Sequence, residues 1–475
     1  MATPSISKVA TNLNWIGSQQ VTEALLSMPE VLPELVQRYG KQDFTLDGLS
    51  KTMGGVNYIS NMNFRHSEEN FLHEVLKVEA NGNTYAAGAL GTYTIASAYT
   101  YDYPVDGIVS PYITLPDGGS AITTIPLYPK QVIAFPDGTQ AIVQSVSGTT
   151  FTAYPRATAG VMPQTSTTDI IVILGNQVGE AADMNPSRDS QLIWYFGNMS
   201  NMNGSYQISG NARADKMWIS TDKGNIWFYY AQMNEAKRLK NEREMRILTD
   251  TKTTNTTFAD IAGNETSVSF EGLIPFIESY GNQLPYNLIS GITLQDFEEL
   301  VLSQLMPNVA ASEYALWSAG QPMSYFSQFV RAEGKNGGIV YAALGNEGDY
   351  TVKFDFKSFN ILGHTFHAKH YGVFDYKNAM GAVGQPYPYM FLGMPLDKSD
   401  KTVNWDDITT SKNTPQFVIH YQKSPDGYKR EWEEFMLGGA NGVYTEGVDR
   451  QTVNYRSTFG FEGFAPNRYF KGFKE

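Results

Sequence analysis

Residues 222–250, DKGNIWFYYAQMNEAKRLKNEREMRILTD, decide how the rest of the chain is read. Asp222 is placed to cap a helix, because its carboxylate can accept the free N–H groups of a first turn. No proline follows until Pro275, and most residues from Ala231 to Leu248 are good helix formers. Arg238 with Glu242, Lys240 with Glu244 and Glu242 with Arg246 stand at i,i+4 and can pair. Such a helix spans roughly 40 Å at about 1.5 Å per residue. Its first turns are aromatic (Trp227, Phe228, Tyr229, Tyr230). The later turns are charged nearly all round, with apolar residues only at Leu239, Met245, Ile247 and Leu248. A helix polar on most faces is no ordinary core helix. The sequence predicts a structural spine, packed on one side by a sheet and facing neighbours or a lumen on the other; the plainer alternative is a long surface helix held by its i,i+4 pairs.

Outward from the helix, the texture changes sharply. From about Ala80 to Asn176 charge nearly vanishes and Thr, Gly, Ala, Val and Ile dominate. QVIAF, a PDG turn, TQAIVQSV, an SG turn and TFTAYPR predict a three-stranded meander, and IIVIL at 170–174 a buried strand. This is a small β-barrel or sandwich inserted ahead of the helix. Before it, Asn57 to Glu79 reads as an extended hairpin arm. Residues 1–20 read as a polar extended arm, and Val21 to Tyr39 as one or two short helices broken near Pro29 and Pro33. Tyr206 to Trp218 is expected to be extended.

After the helix, Thr251 to Ser267 reads as a polar loop, and Gly272–Gly281, Thr293–Leu305 and Met323–Ala332 as helices. Thr293 with Asp296 resembles a capping box in which Asp replaces the usual Glu. Strands follow in IVYAAL, YTVKFDF and HTFHAKHYGVF. Gly381 to Asn404 reads as a long Pro/Gly/Tyr loop, and VNYRSTFGFEGFAPNRYF as one or two closing strands.

Composition narrows the function. The 475 residues suit about three domains. Only 17% are charged while 29 are Tyr, 26 Phe and 7 Trp, so much area is available for cores and interfaces. A net charge of −13 makes non-specific nucleic-acid binding poor but suits a container that surrounds DNA without sticking to it. The absence of cysteine excludes disulfides, thiol catalysis and Cys-based metal sites. The N-terminus lacks the apolar core of a signal peptide, and no run of 18 apolar residues occurs.

Catalytic constellations are sparse in the sequence. GKNGG at 334–338 is no Walker loop, and HEVLK at 73–77 lacks the second histidine of a zinc protease motif. His364, His367 and His370 have metal-like spacing. The β-branched and aromatic residues around them favour a strand, which sends His367 to the face opposite the other two. Glu431, Glu433 and Glu434, and Asp406 with Asp407, could serve glycoside hydrolysis if brought across a cleft; a solvated face explains them more simply. YPYMF at 387–391 could stack sugars or pack at an interface. No catalytic, cofactor or metal residue is assigned. Extended arms without cores of their own predict an assembling protein with obligate interfaces above roughly 2,000 Å².

In its order of parts the chain resembles the major capsid proteins of tailed bacteriophages with the Hong Kong 97-type fold. The resemblance rests on Phe64, Glu68 and Glu69 in NFRHSEENFLHE (63–74), on PDGTQAIVQSV (136–146), on NQVGEAADMNPSR and YFGNMSNMNGSYQISGNA ahead of the helix, and on the closing strands. The texture is similar to capsid proteins of phages of Bacteroidetes-type hosts, including crAss-like phages. The resemblance implies an α+β fold with an N-terminal arm (1–50), an E-loop-like hairpin arm (51–79), an inserted β domain (80–180), P-domain strands and spine helix (181–265), an A-domain-like region (266–440) and closing P-domain strands (441–475).

It further implies pentamers and hexamers that build an icosahedral shell around double-stranded DNA, in the virion, after assembly in the bacterial cytoplasm. Phe64, Arg65, Glu68, Glu69, Arg238, Glu242, Arg246, Tyr387 and Tyr389 are then expected at contacts between subunits. Partners would be other copies of the chain, a portal protein, possible decoration proteins and, since no long charged helix precedes the arm and the chain starts with Met, a separate scaffolding protein. The rival readings are another virion part (tail, baseplate or head decoration), an encapsulin-like cage, and a carbohydrate-active enzyme.

Overall fold

The computed structural model describes residues 55–69, 75–95, 127–167, 169–179, 192–214, 227–252, 269–307, 312–335, 358–396, 398–402, 411–438 and 447–475. The N-terminal arm and its helices, Asp222, the strands IVYAAL and YTVKFDF, and Asp406 with Asp407 lie outside these residues, as does most of the Thr251–Ser267 loop. The architecture is α+β with curled sheets, and the chain divides into two compact units. Asn203–Glu242 and Glu433–Arg456 form one; Thr45–Met202, Arg243–Trp432 and Ser457–Glu475 form the other.

In the larger unit, β1 (Val56–Ile59) and β2 (Asn63–Glu69) follow one another but do not form the expected hairpin. β1 pairs in parallel with β18 (Phe417–Gln422), which pairs antiparallel with the far end of β20 (Arg450–Gly463). β2 pairs with β9 (Leu192–Asn198), register Asn63↔Asn198 to Glu69↔Leu192. The partner of the arm strand thus comes from more than 100 residues downstream, and everything between is inserted at the open end of the ladder. Alternation along β2 is regular: Phe64, His66 and Glu68 are half-buried, while Asn63, Arg65 and Ser67 are exposed.

The insertion is a closed six-stranded barrel. β3 (Val75–Lys77), β8 (Ile170–Asn176), β5 (Gln131–Ala134), β6 (Gln140–Ser147), β7 (Thr150–Pro155) and β4 (Gly91–Thr94) are neighbours in that order. The ring is completed by the Val78↔Ile95 bridge and the Glu79 N–H to Thr94 O bond of 2.8 Å. The predicted meander is β5–β6–β7. Irregular registers at Val143/Ser145 and Val132/Ile133 bend the strands enough to close the wall. Leu76, Tyr93, Ile133, Val143, Phe151 and Ile171 fill the interior. IIVIL is not buried throughout: Ile171 and Ile173 face inward, Val172 and Leu174 outward, because a barrel strand has one solvent face.

A six-stranded mixed sheet follows in the same unit, in the order β11 (Asn282–Tyr286), β21 (Phe470–Lys474), β15 (Phe391–Pro395), β12 (Glu313–Ser318), β14 (His364–His370) and β13 (Phe359–Ile361). Two expectations are corrected here. The 381–404 stretch is not a continuous loop: β15 runs through it as a fully buried strand, and β16 (Lys398–Thr402) pairs with β17 (Ser411–Pro415). And the end of the chain does not stay with β20: β21 pairs with β11 and β15. The Gly and Pro of FLGMP hid β15, yet Gly393 is required, since a Cβ there would overlap the Phe470 ring.

The helices over this sheet are α3 (Leu273–Tyr280), α4 (Leu294–Leu300), which runs on through a π-helical turn (Val301–Leu305), and α5 (Gly320–Lys335). The Thr293 and Asp296 capping box is present, with each side chain accepting the other's backbone N–H. Phe297 on α4 is the hub of the core, its ring 5.0–6.3 Å from those of Phe326, Phe359, Phe366, Phe391 and Phe470.

The smaller unit contains most of β10 (Ser200–Ser209), the short α1 (Gly210–Ala214), the first part of α2 (Trp227–Thr249), β19 (Glu433–Gly438) and the start of β20. Of the 206–218 stretch, expected to be extended, residues 206–209 are strand and 210–214 helix, and 215–218 lie outside the described residues. β19 pairs with β20 from Glu433↔Arg456 to Gly438↔Gln451. Gln232 on α2 donates to Glu434 and accepts from Tyr455, and Gly204 leaves room for the Leu239 side chain.

α2 is the predicted long helix, described over 23 residues. Among its described side chains the buried ones are Leu239, Arg243, Glu244, Ile247 and Leu248, spaced at three and four residues along one stripe. Two charged residues are part of that stripe, which is why the apolar pattern was faint in the sequence.

Candidate functional site

The nine residues expected at contacts fall in three places. On β2, Phe64 packs its ring 4.6 Å from that of His420 and beneath Gly197 and Gly460, where a Cβ would meet it. Arg65 is on the exposed face, and opposite it on β9 stands Phe196, 44% exposed. Glu68 accepts the Ala465 N–H at 2.8 Å. Glu69 is the last residue of the ladder, paired with Leu192.

On α2, Arg238 is well exposed and pairs with Glu235 at 2.5 Å and Glu242 at 3.7 Å. Arg246 pairs with Asp250 at 2.6 Å rather than with Glu242. It also donates to Ser200 and lies over the rings of Phe270 and Phe459. That side chain is turned into its own unit.

Tyr387 and Tyr389 form a 3-10 turn ahead of β15. The Tyr286 hydroxyl donates to the Tyr389 carbonyl at 2.5 Å, and Lys474 lies over the Tyr389 ring.

What the sequence reading missed is the polar cluster beneath β2. His66 Nδ1 is 2.7 Å from Glu462 Oε1, and His66 Nε2 is 3.2 Å from Glu68 Oε1. The other Glu462 oxygen is 2.6 Å from His420 Nε2. His420 and Glu462 are buried; the His66 ring stacks on Tyr195 at 5.0 Å and meets Phe464 at 4.5 Å. Burial opposes ionisation of Glu462, but hydrogen bonds from His420 and His66 outweigh it and hold the carboxyl at about 2. Burial likewise opposes charge on His66, and its bonds to Glu462 and Glu68 raise it above its ordinary value all the same. A signal existed: His420 interrupts the apolar run FVIHY and Glu462 the run FGFEGF, and His66 with Glu68 share a strand face.

Beside the cluster is a cavity of about 170 Å³, lined by His66, Tyr195, Glu271, Tyr280, Phe461 and Glu462 among others. Burial pushes the Glu271 carboxyl up against its bond from Ser279.

The carboxylates of REWEEF each have a different partner. Glu431 accepts from the Tyr58 hydroxyl, Glu433 from Arg456 at 2.5 Å, and Glu434 from Gln232. The histidines of β14 are on a strand as expected, and His370 bonds Asp375. Among the described residues no group of three or more His, Asp or Glu could hold a metal ion, and no helix is long and apolar enough to cross a membrane.

No family model matches the chain, and no curated protein does. Among solved structures, it is similar to one from Microbacterium phage Oxtober96 at TM-score 0.41 and 8% identity, covering 97% of this chain and 100% of that one. A structure from Gordonia phage Cozz gives 0.40 and 8%, covering 100% and 99%. The capsid structure of the Cyanophage P-SCSP1u gives 0.30 and 8%, covering 74% and 85%. TM-scores below 0.5 at such identities leave the fold to be defined by the chain's own geometry.

Proposed function

We propose that the chain is a virion structural protein, specifically the major capsid protein of a tailed bacteriophage with the Hong Kong 97-type fold. In this reading it self-assembles as pentamers and hexamers into an icosahedral shell around double-stranded DNA. The observation that carries the proposal is the β2–β9 ladder with a closed barrel inserted at its open end. A two-stranded ladder is marginal by itself in water. One face of β2 is packed within its own unit, while Asn63, Arg65, Ser67 and the neighbouring Phe196 are exposed. A second copy covering that exposed face would supply the missing burial.

The 23-residue α2 with its single buried stripe and the 14-residue β20 suit the spine and closing strand of such a subunit. The acidic balance suits a wall that encloses DNA without binding it by sequence. Other copies of the chain, a portal protein, a separate scaffolding protein and decoration proteins would be its partners, and the shell its location. A structural protein of this kind needs no cofactor and no catalytic centre. The narrower relation to crAss-like phages belongs to the same proposal.

Negative-stain electron microscopy of the purified chain, alone and with the products of neighbouring genes, is the test. Rings of five or six subunits or closed shells are expected. Monomers even with the candidate scaffold present would overturn the reading. Hydrogen exchange adds a second check: residues 1–20 are expected to gain protection only on assembly, and equal protection in the free subunit would count against it.

A further inference from the structure

Both ring nitrogens of His66 face a carboxylate oxygen, Glu462 on one side at 2.7 Å and Glu68 on the other at 3.2 Å. A neutral imidazole has one donor and one acceptor nitrogen, so it would turn a lone pair toward one of those oxygens. Only the doubly protonated ring satisfies both. Both carboxylate oxygens that face the ring stand as acceptors. Glu68 already accepts the Ala465 backbone N–H, and Glu462 already faces His420 Nε2 at 2.6 Å. With those oxygens accepting, both ring nitrogens of His66 act as donors.

The four side chains come from three strands and join the β2–β9 ladder to the separate sheet that holds β18 and β20. His66 and Glu68 are on β2, His420 on β18 and Glu462 on β20, while among the described residues β2 pairs with β9 alone. We propose that these residues form a proton-operated clasp, which holds β2 against β18 and β20 while His66 carries two protons and loosens it when one is lost.

The remaining groups around His66 do not take over that role. On β9 the ring faces Tyr195, and from the turn after β20 it faces Phe464. Tyr469, held neutral by burial, stands near Glu68, and Arg468 stands near Tyr469. Lys252, Glu271 and Tyr280 line the adjoining cavity; Tyr280 is held neutral by burial, and burial also moves Glu271 toward its neutral form. The cluster is not a metal site either, since the two nitrogens of His66 point to different carboxylates and the four groups do not converge on one point.

The sign follows from linkage. A histidine whose folded value is raised above 6.5 contributes stability that is fully present below 6.5 and is lost as pH rises through the folded value. The clasp is thus closed at mildly acidic pH and weakens on the alkaline side. This is a property of the subunit, and it holds or fails independently of whether the chain builds a shell.

Hydrogen exchange of the full chain between pH 5.5 and 8.5, corrected for intrinsic rates, reads the clasp through the amides of 63–69 and 192–198. In the wild type, opening is expected to rise with pH above 6.5, approaching about tenfold per unit while one proton is released. In His66→Gln, which keeps one donor and cannot titrate, the same segments should open more readily at pH 5.5 and show no such rise. An unchanged slope in the variant, or a flat wild type, would overturn the proposal. The wild-type chain provides an independent reading if the variant fails to fold. With ¹⁵N-histidine labelling, the His66 ring should titrate above 6.5 with both nitrogens protonated below that point, and titration at or below 6.5 would refute the clasp.

Discussion

Gly393 and Phe470 stand opposite one another across the β15–β21 ladder, and two residues along the same ladder the order reverses, with Phe391 opposite Gly472. A Cβ on either glycine would overlap the facing ring. The two pairs interlock, and the rings are thereby held in the cluster around Phe297. Gly393→Ala and Gly472→Ala are each expected to destabilise the chain by about 1–3 kcal/mol or more, as overpacking does. Gly82→Ala, which meets nothing within 4 Å, should stay within about 0.5 kcal/mol. Urea unfolding of the three variants checks this; an unchanged midpoint for Gly393→Ala would rule out the ring arrangement.

Phe297 touches five other phenylalanine rings and is fully buried, so Phe297→Ala should cost about 3–5 kcal/mol. Leu302, one turn further and 56% exposed, should cost less than about 1 kcal/mol when cut to Ala. Thermal melts of both variants test the contrast. Similar shifts for the two would mean the core is centred elsewhere.

The capping box at the start of α4 predicts a graded series. Thr293→Ala removes the acceptor for the Asp296 N–H and is expected to cost about 1 kcal/mol. Thr293→Ser keeps it and should recover most of the loss. Chemical denaturation that finds the two variants equal would show that the side-chain bond does not contribute.

The acid side of the His66 cluster belongs to Glu462. Its folded value is depressed from 4.5 to about 2, so its contribution is present above 4.5 and is lost as pH falls toward 2. The stability gap between the wild type and Glu462→Gln should therefore be widest between about 4.5 and 6.5, where the doubly protonated His66 faces an ionised carboxylate, and should shrink toward pH 2. A gap that stays constant from pH 6 to pH 2 would mean that the charge of Glu462 is not what the histidines recognise.

Along α2, the amides of Ile247 and Leu248 should be among the slowest to exchange in the chain, together with those of β18 and the end of β20, because these side chains are fully buried. Exchange mass spectrometry over 239–249 and 417–422 measures it. Fast exchange at 247–248 in the free subunit would show that the helix is held only by neighbours.

The chain's local signals carried a good part of this structure. The long helix was legible because good helix formers run without a break past Leu248. The meander was legible from Pro136–Asp137–Gly138 and the glycine at 148, and the cap from Thr293 and Asp296. These depend on residues close in sequence, where spacing alone states the physics. Strand partners do not. That β2 pairs with β9, that β1 joins β18, and that β21 leaves β20 for β15 were settled by long-range packing, in which a one-residue shift of register would turn each buried face outward. The same holds for the site. Phe64, Glu68 and Arg246 could be named from the sequence, but the cluster of His66, Glu68, His420 and Glu462 spans nearly 400 positions and exists only where three strands meet. The buried stripe of α2 was obscured for a related reason: Arg243 and Glu244 look like solvent residues until tertiary structure provides partners. Arg243 then donates to the Glu431 carbonyl and lies over the rings of Tyr421 and Trp432. A charge can be buried only where the fold has already assembled the groups that replace its water.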